Sequence, residues 1–599
     1  MHFSKGLVLL FSFCFTSTFA SFLTGTYPAP IDLASNASVV AANWKNLSRI
    51  FDNSLRGNSA TNAADAFAAA RNVSFSVGLF SIHDPAASKL QYHHTSPQTA
   101  NAPNGTNIVN GDSIYRVASV SKLFTVYAGI LNLAEEDWNS PISEIIPELT
   151  TADSENGSAY TIDWDEITPW ALATQLAGIP QFGIAAGDLL FAFEEAASLK
   201  GGSSSDSAIA LGLPPLDISV LGPCLNFTCG VAAFAESYRT QTPEFQSFTS
   251  PGYSDGAFML LGMVISTITG RPMESVYRQS IFEPLGMASS NSTTPTGVDD
   301  LARCVITDNS FYLEGGLTSP SGGIFSSLND LNKFGVALLN STLLPSNVTR
   351  KWMKPVTHTP SLTYSVGGPW EIHRYIHPVT GKITDLYTKL GDSGSSGGAT
   401  VLIPEYGAGI SFAGASSDVI RSDVDNIVLD SVINAILPAL EAQAAVEAGL
   451  NYIGTYNSTD RNLNSSVTIS LDKSTAPGKP KGLSVSRWIS NGTDVLLEAF
   501  KGVHPVLLPS IPKPNEGPGP VAFQISTSLQ TNSYAAAPKS AGVIGPFTGA
   551  YGTNIDWMVA GNQYYGGVGV KLFVFDVNAE GMATALSPAV ARIKLQRRG

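Results

Sequence analysis

Serine and lysine recur in this chain at the spacing S-x-x-K, which places a hydroxyl beside an ammonium group on one helical turn. The motif occurs as Ser119-Val-Ser-Lys122, Ser470-Leu-Asp-Lys473 and Ser510-Ile-Pro-Lys513. A lysine so placed can activate the serine as a nucleophile. Only Ser119 opens a stretch with apolar residues at helical spacing, because prolines follow Ser510 and Ser470 ends a strand-like segment. Ser119 and Lys122 are therefore the candidate pair, with an N-cap serine and a solvated lysine as the alternative.

The segment "SPGYSDGAFMLLG" allows two interpretations with different chemistry. From Gly252 to Gly256 it matches G-x-S-x-G, the nucleophile elbow of an α/β-hydrolase, in which Ser254 would attack. An elbow needs a strand that runs straight into the serine, and Pro251 interrupts the residues before Ser254. The later histidines lie in no supporting motif. The sequence favours the other interpretation, in which Tyr253 carries the chemistry and Ser254 is a spacer.

A third motif, Lys389-Leu-Gly391, lies in "YTKLGDSGSSGG". The order Ser119-x-x-Lys122, Tyr253-Ser-Asp255, Lys389-Leu-Gly391 resembles the signature of the serine β-lactamase and penicillin-binding-protein superfamily. The tyrosine in the second motif is similar to the class C β-lactamase and esterase branch. Three stretches look like scaffold segments of that branch: "LATQLAGIPQF", "ITGRPMESVYRQSIFEPLGM" and "PSGGIFSSLNDLNKFGVALL". The resemblance covers roughly residues 60–440, and the tail resembles the C-terminal domain of fungal secreted β-lactamase-like proteins.

This resemblance implies a covalent mechanism. Ser119 would attack a carbonyl carbon and form an acyl-enzyme. Lys122 and Tyr253 would share the proton transfers. The cations Lys122 and Lys389, on either side of the tyrosine, would favour its phenolate form. The backbone N–H groups of Ser119 and Asp392 would form the oxyanion hole.

Two positions depart from the family pattern. The second motif usually ends in Asn, and here it ends in Asp255, whose ionised carboxylate cannot donate to a substrate carbonyl. Asp255 could instead pair with Lys122. The third motif usually has a hydroxyl between Lys389 and Gly391, where this chain has Leu390. Since that hydroxyl helps to hold a substrate carboxylate, we expect an esterase rather than a true β-lactamase, with Lys389, Gly391 and Asp255 still shaping the substrate site.

The order of helical and strand-like segments predicts two domains. From residue 60 to 448, strand-like segments such as "SFSVGLFSI" alternate with helical ones such as "VSKLFTVYAGILNLAEE". The expected fold class is α/β (α+β), a β-lactamase/transpeptidase-like antiparallel sheet flanked by helices. From residue 450 to 599, short segments such as "GLSVSRWI" and "DVLLEAF" are separated by Gly, Pro and Asn and predict a smaller all-β domain.

The N-terminal residues predict export. Residues 1–20 combine Lys5, an apolar run and the small residue Ala20, as in a secretory signal peptide, and residues 21–59 form an N-terminal extension. Twelve N-x-S/T sequons suit a secreted glycoprotein. The net charge of −14 argues against nucleic acid or an anionic membrane as a partner. We expect an extracellular protein with no membrane association after signal cleavage.

The four cysteines indicate one disulfide. Cys14 would leave with the signal peptide, and Cys224 and Cys229 are close enough in sequence to bridge in an oxidising compartment. Cys304 would then be a buried thiol, although a pairing that includes it stays open. No Cys/His cluster has zinc spacing, so we predict no metal and no cofactor. The expected partner is a small acyl compound.

Three functions are compatible with these residues. The first is a secreted esterase that cleaves a small ester, thioester or amide through an acyl-enzyme. The second is an acyltransferase of a natural-product pathway, which would pass the same acyl group to an alcohol. The third is a catalytically silent binding scaffold. The predicted signal peptide favours the hydrolase, since acyl-CoA and carrier-protein donors are intracellular, and the complete Ser/Lys/Tyr/Lys set argues against the scaffold.

Overall fold

A computed structural model gives the fold. It describes residues 25–57, 69–150, 159–181, 230–239, 241–313, 315–377, 382–418, 421–460, 462–472, 482–511, 518–526 and 563–598. The chain forms two compact units. The larger unit contains the described residues within Asp32–Arg374 and Asp385–Ala439, and the smaller unit contains those within Met1–Ile31, Tyr375–Thr384 and Leu440–Gly599. The predicted signal peptide and the Cys224–Cys229 pair lie outside the described residues.

The larger unit is built on an antiparallel sheet. Its strands are β1 (Ser74–Ser81), β2 (Gln91–His94), β5 (Thr357–His358), β6 (Tyr364–Val366), β7 (Glu371–Ile376), β8 (Ile383–Asp392), β9 (Ser396–Ile403) and β10 (Ala408–Ala415), after a separate pair, β3 (Ile114–Arg116) and β4 (Phe325–Ser327). The sheet order is β2-β1-β10-β9-β8-β7-β6-β5. Every residue of β1, β9 and β10 is buried, so both faces of the central strands are covered.

Helices cover this sheet, which confirms the expected fold class. They are α1 (Val39–Leu55), α2 (Pro97–Ala100), α3 (Ser121–Asn132), α4 (Ile142–Ile145), α5 (Pro169–Ala173), α6 (Val231–Arg239), α7 (Asp255–Thr269), α8 (Met273–Tyr277), α9 (Val298–Leu301), α10 (Ser319–Gly322), α11 (Leu328–Leu339), α12 (Ser346–Trp352) and the long α13 (Arg421–Tyr452). Helix α11 packs against β1 and β10. Ser327 caps α11, because its Oγ accepts a hydrogen bond from the N–H of Asp330.

Helices α3 and α7 form the core beside the site. The sequence predicts a helix from Val120 to Glu136, and α3 occupies the first part of it and ends before Leu133, whose N–H donates to the carbonyl of Gly129. Both helices are apolar on almost every side and lie in one hydrophobic cluster with α5, α8 and α11. A helix that is apolar on all sides is a core helix. The first turns of α3 and α7 are therefore held by packing.

The smaller unit is a closed β-barrel. Its strands are β11 (Gly454–Asn457), β12 (Ser466–Asp472), β13 (Gly482–Ser490), β14 (Thr493–Asp494), β15 (Val506–Ile511), β16 (Gly519–Ser526), β19 (Leu572–Val577), β20 (Ala583–Pro588) and β21 (Leu595–Arg597), with the separate pair β17 (Tyr564–Tyr565) and β18 (Val568–Gly569). The order β12-β11-β21-β20-β19-β16-β15-β13 closes because β12 also pairs with β13. Closure removes exposed strand edges. The expected β-rich C-terminal domain is thus confirmed.

One predicted strand of this unit is wrong. "DVLLEAF" forms a short helix, α14 (Val495–Phe500). Asp494 caps it by accepting a hydrogen bond from the N–H of Leu497, and Lys501 ends it in the left-handed conformation. The adjacent leucines break the apolar–polar alternation that a half-buried strand requires.

The apolar pattern from Asp423 to Ala448 predicts a long amphipathic helix with a kink near Pro438. Helix α13 covers this stretch and continues through Pro438. It is long and apolar enough to cross a membrane by length and composition, but 56% of its most apolar window is buried inside the protein, as in a core helix.

Cys304 is a free, buried thiol. Its Sγ donates to the carbonyl of Asp300 at 3.2 Å. Burial and the Asp300 carboxylate raise the pKa of the thiol to about 12, against a smaller opposing effect of Arg303.

Candidate active site

Ser119 lies in a tight turn that leads into α3. The turn is a 3-10 helix, Ala118–Val120, and Ala118 adopts a positive φ of 46°. A non-glycine residue in that region costs on the order of 1–3 kcal/mol and persists only when the surroundings impose it. Ser119 is partly exposed, whereas its neighbours Ala118 and Val120 are buried. The turn therefore presents one polar side chain to the solvent side of a packed helix.

Lys122 is fully buried and contacts Ser119. Its Nζ donates to Ser119 Oγ at 2.9 Å and to Asp255 Oδ1 at 2.5 Å. It also lies 3.0 Å from both the carbonyl oxygen and the Oγ of Ser321, in α10. These four acceptors are enough for the three protons of the ammonium group and offset its lost hydration. Lys122 lies in α3, and its partners in α7 and α10 hold its ammonium group against the Ser119 hydroxyl.

The second motif lies at the start of α7. Asp255 is the first residue of the helix, where the helix dipole favours a negative charge. Its carboxylate accepts hydrogen bonds from Lys122 and from Ser321 Oγ. The pairing of Asp255 with Lys122 that the sequence suggested is present in the structure.

Ser254 has a different environment. It is the N-cap of α7, and its Oγ accepts the N–H of Ala257 at 3.0 Å and donates to the carbonyl of Pro180 at 2.8 Å. Its side chain is buried, and the residues before it form no strand. This geometry differs from a nucleophile elbow, in which a strand ends at an exposed serine. The structure therefore gives Ser254 a structural role.

Tyr253 lies between two ammonium groups. Its ring centroid is 4.9 Å from Lys122 Nζ and 5.3 Å from Lys389 Nζ. The tyrosine is 41% exposed, whereas Lys122 and Lys389 are buried. A solvent-accessible phenol with a cation on each side is suited to proton transfer.

Lys389, in β8, is held by a carboxylate from the neighbouring strand. Its Nζ donates to Glu371 Oε1 at 2.6 Å and to the carbonyl of Leu390 at 2.7 Å. Glu371 Oε2 accepts the backbone N–H of Leu390 at 2.9 Å. Burial alone would lower the pKa of Lys389, but the charges of Glu371 and Tyr253 and its hydrogen bonds to them outweigh burial and raise it.

Gly391 brings the end of β8 against the turn that carries Ser119. A Cβ atom at this glycine would lie 2.2 Å from the carbonyl oxygen of Val117 and 2.8 Å from the backbone nitrogen of Ser119. Only glycine allows so close an approach of two backbones. The oxyanion hole predicted from the backbone N–H groups of Ser119 and Asp392 requires such an approach, and it remains a prediction.

A buried arginine supports the residue after Gly391. Arg421 Nε donates to the carbonyl of Gly394 at 2.7 Å, and its two terminal nitrogens contact Asp392 Oδ1 and Asp425 Oδ2. Burial raises the pKa of Asp425 to about 7; Arg421 opposes this effect and Asp392 adds to it. Arg421 therefore ties the third-motif loop to the first turn of α13.

The structure brings the predicted residues Ser119, Lys122, Tyr253, Asp255 and Lys389 into one connected cluster. Sequence reasoning missed Glu371, Ser321 and Arg421. Ser321 lies in a stretch recognised only as scaffold, and Glu371 and Arg421 carried no motif. Among the described residues, no group of three or more His, Cys, Asp or Glu side chains could hold a metal ion.

Comparisons with known proteins show which families the two parts of the chain resemble. Residues 85–429 match the family model described as "Beta-lactamase", and residues 444–599 match one described as "Beta-lactamase-like-like, C-terminal domain". A beta-lactamase-like protein of Arthroderma benhamiae is 31% identical over 444 residues, which cover 72% of this chain and 69% of that protein. A probable hydrolase of Cochliobolus lunatus is 26% identical over 427 residues, which cover 68% of this chain and 65% of that protein. A D-stereospecific amidohydrolase structure from Streptomyces sp. aligns with a TM-score of 0.42 at 19% identity, over 60% of this chain and 93% of that one.

Proposed function

The chain belongs to the beta-lactamase family of hydrolases, and from this premise we propose that it is a serine esterase that acts through a Ser119 acyl-enzyme. Its substrate would be a small ester, thioester or amide. Among the curated relatives, two bear names that call them probable hydrolases, which favours hydrolysis over acyl transfer.

One observation carries the proposal: the buried Lys122 ammonium donates to Ser119 Oγ at 2.9 Å. An ordinary helix lysine is solvated, because burying a charge is costly. Here the lysine is buried, and hydrogen bonds to Asp255 and Ser321 hold its ammonium group beside the Ser119 hydroxyl. Such an arrangement fixes the serine hydroxyl for attack.

The base in this proposal is Tyr253. Lys122 is occupied as a hydrogen-bond donor, so it orients the hydroxyl rather than removing its proton. The Tyr253 phenolate, between Lys122 and Lys389, would take the Ser119 proton as the Oγ–carbon bond forms and pass it to the leaving alcohol as the carbon–oxygen bond breaks. Water would then attack the acyl-enzyme carbonyl as Tyr253 accepts its proton. Tyr253 would return that proton to Ser119 Oγ as the acyl–Oγ bond breaks and the acid leaves. The Ser119 and Asp392 N–H groups would stabilise the oxyanion.

A fluorophosphonate probe followed by peptide mapping tests the nucleophile. We expect one adduct, on the Ser119 peptide, and its loss in Ser119→Ala. Ser254→Ala is the matched control, since it removes another serine hydroxyl near the site and should leave labelling intact. An adduct on Ser254 would refute the proposal. No adduct in the folded protein would favour a silent scaffold.

An ester-cleavage assay with and without an added alcohol separates hydrolysis from acyl transfer. We expect the free acid as the product in both cases. A product ester formed at the expense of the acid would identify an acyltransferase.

We also propose that the protein is exported and acts outside the cell. The basic start and apolar run of residues 1–20 support this, as do the sequons. Expression in a secretory host should release protein that begins near residue 21 and shifts in mass with a glycosidase. Retention in the cell with residues 1–20 intact would contradict export.

A further inference from the structure

The lysine of the third motif is not available to a substrate anion. Lys389 Nζ already donates to Glu371 Oε1 at 2.6 Å and to the carbonyl of Leu390 at 2.7 Å, and its side chain is 1% exposed. Glu371 is itself fixed, because its second oxygen accepts the N–H of Leu390 at 2.9 Å. A substrate carboxylate could reach Lys389 only by displacing a partly buried carboxylate from an ion pair, which is costly.

The other cations near the site are also compensated. Lys122 is paired with Asp255, and Arg421 lies between Asp392 and Asp425. Asp392, which follows Gly391, is the most exposed of these groups, at 54%. Lys122, Lys389 and Arg421 therefore each have at least one carboxylate partner, and the most exposed charged group of these ion pairs is a carboxylate.

We infer that the enzyme takes neutral or cationic esters and rejects substrates with a carboxylate near the scissile bond, and that Glu371 determines this specificity. The inference rests on the proposed ester cleavage at Ser119. A carboxylate entering the site would meet Glu371 and Asp392 instead of a free ammonium group. It would also lack the hydroxyl partner that Leu390 has replaced. A cationic group would meet no uncompensated positive charge.

Three butyryl thioesters with different leaving groups test this: 3-mercaptopropionate (anionic), its methyl ester (neutral) and thiocholine (cationic). Thiol release gives kcat/KM, and each value is normalised to the alkaline hydrolysis rate of the same compound. We expect the anionic thioester to react about 10- to 100-fold more slowly than the neutral one, the size of a lost charge-assisted hydrogen bond. The cationic thioester should react within about tenfold of the neutral one.

The variant Glu371→Gln removes the charge but keeps an oxygen that can accept the N–H of Leu390. It should free Lys389 and bring the anionic thioester to within about threefold of the neutral one. Asp299→Asn is the control, because it removes an exposed carboxylate in α9 and makes the same change in net charge. This control should keep the wild-type preference.

Each outcome is decisive. Equal cleavage of the anionic and neutral thioesters by the wild type would overturn the inference while leaving the proposed function intact. An unchanged preference in active Glu371→Gln would overturn the role of Glu371. If that variant does not fold, the wild-type rates test the inference. Slow cleavage of both the anionic and the cationic thioester would overturn it, because the site would then exclude a charge of either sign. No cleavage of any thioester, together with no fluorophosphonate adduct on Ser119, would remove the proposed function and the inference with it.

Discussion

Substituting Gly391 with alanine tests the close backbone approach on which the site depends. The new Cβ would lie 2.2 Å from the carbonyl oxygen of Val117, 2.8 Å from the nitrogen of Ser119 and 3.0 Å from that of Val120. These are backbone atoms, which cannot swing aside as a flexible side chain can. Relieving the overlap requires the strand or the turn to move by about 1 Å, and a misplacement of that size costs about 100-fold in rate.

We therefore expect Gly391→Ala to lower kcat/KM for a neutral ester about 100-fold. Overpacking should also reduce the free energy of unfolding by about 1–3 kcal/mol. Steady-state kinetics, with active sites counted by fluorophosphonate titration, separates slower chemistry from a smaller active fraction. Denaturant unfolding measures the stability.

The matched control is Gly322→Ala. Gly322 also faces the turn, but its Cβ would meet only the carbonyl carbon of Ala118, at an ordinary distance of 3.9 Å. This variant should keep kcat/KM within about threefold, since nothing has to move. If Gly391→Ala were as active and as stable as Gly322→Ala, the close approach described here would be refuted.

Three further predictions follow from single side chains. Tyr253→Phe should lower kcat/KM by about 100- to 10,000-fold while thermal unfolding stays unchanged, since the ring remains and only the proton carrier is lost; an active Tyr253→Phe would exclude this base. Ser254→Ala should cost about 1 kcal/mol of unfolding free energy through the lost cap, with activity retained; unfolding and activity measurements together check it. The pKa of Asp425 in the folded protein is about 7, above its ordinary value of 3.8, so between these two pH values the folded protein binds a proton that the unfolded chain does not. The free energy of unfolding should therefore fall as the pH rises from about 4 to 7, by about 4 kcal/mol at most. Asp425→Asn should remove this pH dependence of the unfolding free energy. Asp423→Asn, at an exposed position of the same helix, is the control and should keep it. The same pH dependence in both variants would contradict the attribution to Asp425.

The local parts of the site could be predicted from the sequence. Ser119 and Lys122 lie three residues apart on one helical turn, so their spacing alone predicts contact. The absence of a nucleophile elbow at Ser254 could also be predicted, because Pro251 prevents a strand from entering the motif.

The residues that the sequence did not indicate come from other elements. Glu371 contacts Lys389 because β7 and β8 are neighbours in the sheet. No residue pattern in the sequence indicates that these two strands pair. Arg421 meets Asp392 from the start of α13, after two further strands. Likewise, "DVLLEAF" has a composition that suits either a strand or a helix, and the Asp494 cap decides for the helix. Partners distant in sequence depend on topology, whereas motifs depend on local spacing.

The buried thiol of Cys304 offers a way to follow opening of the larger unit in time. Alkylating reagents attack the thiolate, and a thiol with a pKa near 12 inside the protein supplies almost none. Labelling of Cys304 therefore requires the surrounding structure to open. The labelling rate, measured by peptide mapping, reports how often that opening occurs. The same protection would keep Cys304 from oxidation and from unwanted exchange with other cysteines.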